Sequence, residues 1–202
     1  MKDIKILPKE FFLKKNVTEI AKDLLGKIIV TQIDGLYTAA RIVETEAYDG
    51  TIDKACHAFP NKLTKRTEVM FKEGGRSYVY LCYGIHHLFN IVTHEEGVAN
   101  AVLVRAVQPI EGVEIMKNRR NTSSELLLGN GPGKVAQALG LNLKHNDKLL
   151  FQENGIIYIG SEMNNTIFEI CVSTRVGVDY AEEDALLPWR YYIKGNPHIS
   201  KK

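Results

Sequence analysis

The stretch "RIVETEAYDG" at positions 41–50 sets two carboxylates, Glu44 and Glu46, two residues apart, with Tyr48 two further on. Its opening reads as a strand. Side chains alternate faces along a strand, so Ile42, Glu44, Glu46 and Tyr48 share one face. Two acids beside an aromatic make a poor core face and an odd solvent face. With planar and basic groups nearby, the acid pair makes a coherent base-handling site.

Planar groups gather around the same positions. His57 follows Tyr48 by nine residues, and Tyr78, Tyr80 and Tyr83 crowd one segment. Tyr48 and His57 could sandwich a nucleobase. Tyr78 and Tyr80 share a face by alternation, whereas Tyr83 falls on the other face beside a turn. There it is either a surface anchor or a wedge between bases. Basic residues cluster as Lys62, Lys65 and Arg66, then Lys72 and Arg76, then Lys117, Arg119 and Arg120. Each cluster alone is better explained by a solvated face.

Other chemistries fit less well. The histidines and cysteines form none of the C-x-x-C, H-E-x-x-H or paired-histidine spacings that hold zinc. "GNGPGKV" departs from the triphosphate-binding loop: Leu128 stands where the first glycine belongs, and Val135 replaces the Ser/Thr that holds magnesium. What remains is a set of backbone N–H groups with Lys134 near a helix start, able to hold one phosphate of a nucleic acid backbone. Without that phosphate it is a tight turn. No serine sits in a G-x-S-x-G elbow.

The elements that position these residues follow from pattern. Asn16 and Glu19 have the spacing of a capping box. Val17, Ile20, Ala21, Leu24 and Leu25 make an apolar helical stripe closed by Gly26. "KIIVTQI" is a strand, and Asp34-Gly35 is a hairpin turn leading into the strand that carries the two acids. Residues 51–76 lack periodicity, and an irregular segment of that length is more often functional than idle. "SYVYLCYG" and "LFNIVTH" read as strands joined by the turn 84–87, and "NAVLVRAVQP" as a third. A helix is expected over 111–120 and another in "VAQALGL" after the glycine-rich loop. Shorter strands are expected near 156–159, 167–173 and 190–195. Hairpins dominate, so the expectation is one α+β domain with a largely antiparallel sheet.

Composition sets bounds. The chain has 202 residues, 45% hydrophobic and 25% charged, which suffices for a real core. A net charge of +2 neither demands nor excludes a polyanion. No apolar run approaches the roughly 20 residues of a membrane span, and the N-terminus lacks the pattern of a signal peptide. The scattered Cys56, Cys82 and Cys171 read as reduced thiols, and a cytoplasmic protein is expected.

Taken together, "RIVETEAYDG", His57, "SYVYLCYG" followed by Asn90, "AVLVRAVQP", "GPGK", "TRVGV" and "RYYIKGNP" resemble the alkyladenine (3-methyladenine, methylpurine) DNA glycosylase family. The match runs from about residue 8 to about residue 200, several motifs in order. The resemblance implies base excision repair: release of alkylated purines, and in some members hypoxanthine, from duplex DNA. It implies a single compact domain (residues 1–202), a curved, mostly antiparallel sheet with surrounding helices and a protruding hairpin. It implies no metal or cofactor, and a nucleoid-associated cytoplasmic activity. By the same resemblance Glu46 is the general base and Arg105 stands beside the catalytic water. Tyr48, His57 and Tyr80 contact the flipped base, and Asn90 clashes with the 2-amino group of normal guanine. Tyr83 is the intercalating residue, and Thr64, Arg66 and Lys134 touch phosphates. Lys62 is placed with them, although some members have arginine there.

The chemistry expected is hydrolysis. A stacked base hides its N-glycosidic bond, so the nucleotide must be extruded. A carboxylate then deprotonates water and stabilises the oxocarbenium-like sugar. Arg105, if close, would favour ionised Glu46. Glu44 is a candidate to anchor Arg41 or Arg105 and to tune Glu46 by charge. The motifs place no lysine as an amine nucleophile, so a monofunctional, monomeric enzyme acting on double-stranded DNA is expected, with no membrane or nucleotide cofactor involved. The competing expectation is a non-catalytic nucleic-acid-binding module on the same fold. A phosphate-transfer enzyme built on "GNGPGK" is the third.

Overall fold

The computed structural model describes residues 4–163 and 166–201. The chain begins with β1 (Ile4–Ile6) and α1 (Val17–Asp23), then β2 (Ile28–Ile33) and the long β3 (Leu36–Asp49). After an irregular stretch come β4 (Arg76–Cys82), β5 (His86–Thr93), β6 (Asn100–Glu111), α2 (Val113–Arg120) and α3 (Pro132–Leu139). The last strands are β7 (Ile157–Glu162), β8 (Ile170–Ser173) and β9 (Arg190–Ile193). Every pairing is antiparallel, in the order β1-β7-β2-β3-β6-β5-β4. The sheet forks along β3: its first half pairs with β2, and Glu44–Glu46 pair with Tyr192–Arg190 of β9, which carries β8. The architecture is the expected α+β class.

Local causes are visible at the hairpins and caps. Asp34 and Gly35 both have positive φ, 54° and 75°, as a two-residue hairpin turn compatible with strand twist requires. The Asn16 side chain accepts from the Thr18 N–H at 2.9 Å and starts α1 as an N-cap. α3 starts earlier than the apolar pattern suggested. Pro132 occupies its first turn, where a missing N–H costs nothing, so half of the glycine-rich loop is helix. β6 runs on to Glu111, and left-handed Gly112 delays α2 to Val113. The β4–β5 turn is tighter than expected: Cys82 pairs with His86, so both histidines belong to β5 and only residues 83–85 turn.

One sheet face forms the main core. Ile42, Val43, Ala47, Val79, Phe89, Ile91, Val102 and Val104 pack there with Ile20 and Leu24 of α1, Met116 of α2 and Val135 and Leu139 of α3. On the other face the irregular segment packs down through Cys56, Ala58, Val69 and Met70 against Tyr78, Val92 and Ala101. That segment is irregular but buried at many positions, as a structural wall must be. No helix among the described residues is long and apolar enough to cross a membrane.

Gly50 ends the strand that carries the acids, and a Cβ there would fall inside contact distance of the Ala99 carbonyl oxygen. Gly50→Ala is therefore expected to push β3 away from the start of β6 and to destabilise the fold by about 1–3 kcal/mol. Urea denaturation measures this, and an unchanged midpoint would show that the contact is slack.

Candidate active site

The register of the sheet assembles the site. Glu46 pairs with Leu103, Leu103 with Asn90, and Asn90 with Tyr78, so one row of side chains crosses four strands. At about 4.8 Å per strand the row spans roughly 14 Å. All four residues line a cleft of about 860 Å³ on the face away from the main core. Tyr48, His57, Arg66, Tyr80, Tyr83, Arg105 and Lys134 line it too. Lys62 and Thr64 do not. Lys62 is exposed, and the Thr64 hydroxyl is bonded to that of Thr67 at 3.0 Å.

The acid strand is locally irregular. Ile42 pairs with Val107, Glu44 with Ala106 and Thr45 with Val104, which leaves Val43 and Arg105 each without an opposite partner. Such bulges re-aim side chains. Ile42 and Val43 both enter the main core, so the simple alternation that put Ile42 with the acids does not hold. Arg105 reaches both acids: its Nη1 lies 3.4 Å from Glu46 Oε2, and its Nε 3.3 Å from Glu44 Oε1.

Glu46 is fully buried. It accepts from the Val176 N–H at 2.8 Å, the Tyr48 hydroxyl at 2.9 Å and Arg105. Burial raises its carboxyl above the ordinary glutamate range, against the pull of Arg105, the Val176 amide and Tyr48. Burial and the neighbouring Glu46 also push the Tyr48 phenol well above its usual value, so it stays a hydrogen-bond donor at neutral pH.

Glu44, also fully buried, is anchored elsewhere. Arg190 Nε donates to its Oε1 at 2.7 Å, and Ser200 donates through its N–H at 2.6 Å and its hydroxyl at 2.9 Å. Of the two partners expected from sequence, Arg105 is present. Arg41 pairs instead with Glu162 at 3.0 Å.

The far wall is aromatic. His57 and Tyr80 stand edge to face with centroids 4.5 Å apart, and Tyr78 and Tyr80 are 5.4 Å apart. His57 Nδ1 is 2.9 Å from the Tyr78 hydroxyl, and Arg66 Nη2 is 3.1 Å from Nε2. Arg66 can only donate, so Nε2 accepts and the ring proton sits on Nδ1. Burial, aided by Arg66, lowers this imidazole to about 4, so it is neutral at physiological pH. Arg66 also lies 5.0 Å over the Tyr80 ring, which places this expected phosphate contact within the aromatic wall. Asn90 donates through Nδ2 to the Tyr78 carbonyl at 3.1 Å, which fixes its amide at the cleft floor.

Tyr83 tips the β4–β5 hairpin at 88% exposure, with φ +50°. Although alternation put it on the other face, the turn swings it to the mouth of the same cleft. Gly133 packs so closely on His86 that a Cβ would meet its ring at 3.1 Å, so the α3 start and the hairpin form one rim. Lys134 there is bonded to Asn130 at 2.9 Å. The other basic clusters are partly paired with carboxylates of the chain: Lys72 and Arg76 pair with Asp147, and Lys117 pairs with Glu114.

Sequence reasoning missed Arg175 and Arg190 as site residues. Arg175 is buried, chelates Asp53 at 2.5 and 2.8 Å, donates to the Ala47 carbonyl, and lies between Tyr48 and Trp189 at 4.9 and 5.3 Å. It thereby ties down the loop whose next amide, Val176, meets Glu46. The signal available was an arginine inside "TRVGV", but nothing local pointed to Asp53.

A family model described as "Methylpurine-DNA glycosylase (MPG)" matches residues 10–197. The chain is 44% identical to a "Putative 3-methyladenine DNA glycosylase" of Clostridium botulinum (strain Alaska E43 / Type E3), covering 98% of this chain and all of the relative. Proteins of the same name from Chlamydia felis (strain Fe/C-56) and Alkaliphilus oremlandii (strain OhILAs) are 46% and 45% identical. They cover 98% and 95% of this chain, and 100% and 97% of their own lengths.

Asp53→Ala would leave Arg175 buried and unpaired, and is expected to cost about 3–5 kcal/mol. Chemical denaturation reads it; a loss below about 1 kcal/mol, the range of a surface pair, would show that Arg175 finds compensation elsewhere.

Proposed function

This chain belongs to the methylpurine-DNA glycosylase family and is a DNA N-glycosylase, and from that premise we propose how it works and on what. It acts as a single-domain monomer on double-stranded DNA. It extrudes 3-methyladenine and other alkylated purines into the cleft, hydrolyses the N-glycosidic bond with water activated by Glu46, and leaves an abasic site. The observation that carries this reading is a fully buried carboxylate, bonded to Arg105, Tyr48 and the Val176 amide, on the floor of a cleft walled by aromatic rings.

The roles follow from placement. Extrusion costs a few kcal/mol of stacking. Tyr83, exposed at the hairpin tip, fills the vacated space and offsets part of that cost. Tyr48 on one side and His57 with Tyr80 on the other hold the base by stacking. Asn90, fixed on the floor, rejects the 2-amino group of guanine. Lys134 holds backbone phosphate beside the cleft, with Lys62 and Thr64 further out. Arg66 contributes there once it releases His57.

An alkylated purine is cationic and leaves readily, so the chemical task is to supply water and to stabilise the sugar. Ionised Glu46 does both, and Arg105 favours that ionised form against the upward push of burial. A neutral base such as hypoxanthine must be protonated to leave. His57 is neutral, and its one ring proton is engaged by the Tyr78 hydroxyl. Hypoxanthine is therefore the slower substrate.

Duplex DNA carrying 3-methyladenine or another methylated adenine should release free base and acquire alkali-labile sites. Intact strands after alkali at every lesion would defeat the proposal. Glu46→Gln should slow release roughly 10²–10⁴-fold, and a wild-type rate would remove Glu46 as base. Borohydride should trap no protein–DNA adduct, since hydrolysis forms no imine. Tyr83→Ala should bind lesion duplex more weakly and excise more slowly, and unchanged values for both would remove the wedge.

A further inference from the structure

Ser200 lies outside the residues lining the cleft, on the stretch after β9. Its hydroxyl nevertheless stands between two charged groups of the site. Oγ donates to Glu44 Oε1 at 2.9 Å and accepts from Arg105 Nε at 3.0 Å. Arg105 Nε is itself only 3.3 Å from that carboxylate oxygen, and attraction would close the gap. The hydroxyl satisfies Nε first, while Nη1 remains 3.4 Å from Glu46.

We propose that Ser200 is a positioning residue for base excision: its hydroxyl keeps Arg105 shared between Glu44 and Glu46 and prevents its collapse onto Glu44. The proposal rests on Glu46 being the base, as read above. Glu44 has a role in it as well, as the anchor against which Ser200 is braced.

The stretch has other ties. Arg190 Nη2 donates to the Lys201 carbonyl, Asn196 Nδ2 donates to Gln108 at 3.0 Å, and the Ser200 N–H donates to Glu44. Ser200→Ala thus removes one hydroxyl and leaves the stretch docked. It also leaves in place the groups facing Glu46. These are Glu44 and Tyr48 from β3, Arg105 from β6, Arg190 from the paired β9, and Arg175 with the Val176 amide from the preceding loop. A change in the behaviour of Glu46 then reports where Arg105 sits. Arg105 is the largest influence opposing burial at this carboxyl, so its retreat moves the acidic limb of activity to higher pH.

The test is single-turnover release of 3-methyladenine by wild type, Ser200→Ala, Ser200→Thr, Arg105→Lys and the double variant Arg105→Lys/Ser200→Ala. Ser200→Ala is expected to slow release roughly 10–100-fold, to shift the acidic limb upward, and to leave lesion-duplex affinity unchanged. Threonine restores rate and limb. In the Arg105→Lys background the alanine adds nothing, since the group being positioned has changed. A wild-type rate and pH profile for Ser200→Ala, no rescue by threonine, or two effects that multiply would each overturn the proposal. Each rate ratio is taken within one background, so a uniform loss of folded protein cancels. If the wild type releases no base, the glycosylase mechanism fails instead. The role of Ser200 is then read from titration of the ¹³C-labelled Glu46 carboxyl, which alanine raises if the proposal holds and leaves in place if it does not.

Discussion

Two carboxylates on neighbouring positions of a strand face, both fully buried, cannot stand alone. Each resists desolvation, and Glu44 raises the cost of ionising Glu46. The site depends on two guanidiniums that reach them from other strands, Arg190 to Glu44 and Arg105 to both. The quartet is neutral in sum but uneven in its geometry. Glu44 has short bonds to Arg190 and Ser200, whereas Glu46 has one long contact to Arg105 and relies otherwise on the Tyr48 hydroxyl and the Val176 amide. Glu44, held by an arginine and Ser200, braces the site, and Glu46, which has the weaker hold on an arginine, is the base of the proposed mechanism.

The backbone makes this possible. Paired bulges at Val43 and Arg105 let an arginine in the middle of a sheet face two acids on the neighbouring strand. The register then carries the same row across Leu103 and Asn90 to Tyr78, so acid and aromatic wall stand on one rigid surface. The buried Arg175–Asp53 pair clamps the loop that delivers the last donor to Glu46. Precision here comes from strands and buried pairs, and the irregular segment 51–75 supplies mainly the wall carrying His57.

Much of this was legible in local sequence. Asp34-Gly35 specified its hairpin, Asn16 its helix start, and the spacing of Glu46 and Tyr48 their shared face. These are short-range constraints, in which residue type alone restricts the backbone. What escaped was long-range. Arg190 and Ser200 are 146 and 156 positions from Glu44, and no periodicity links them. The bulge at Val43 was hidden because alternation carries no mark of an extra residue. Tyr83 was misplaced because its positive φ ends the strand's alternation at the turn. The start of α3 was obscured because proline and glycine, usual signs of a loop, here occupy a helix's first turn.

In the proposed mechanism Glu46 is a buried carboxylate that must lose its proton to work. The most direct measurement is the pH dependence of single-turnover release of 3-methyladenine, a cationic lesion that needs no protonation to leave. Burial raises this group, so the rate should fall as pH drops through an apparent pKa above the ordinary glutamate value of 4.5, and stay level toward alkaline pH. A rate that stays constant down to that ordinary value, or that rises as the medium is acidified, would contradict it.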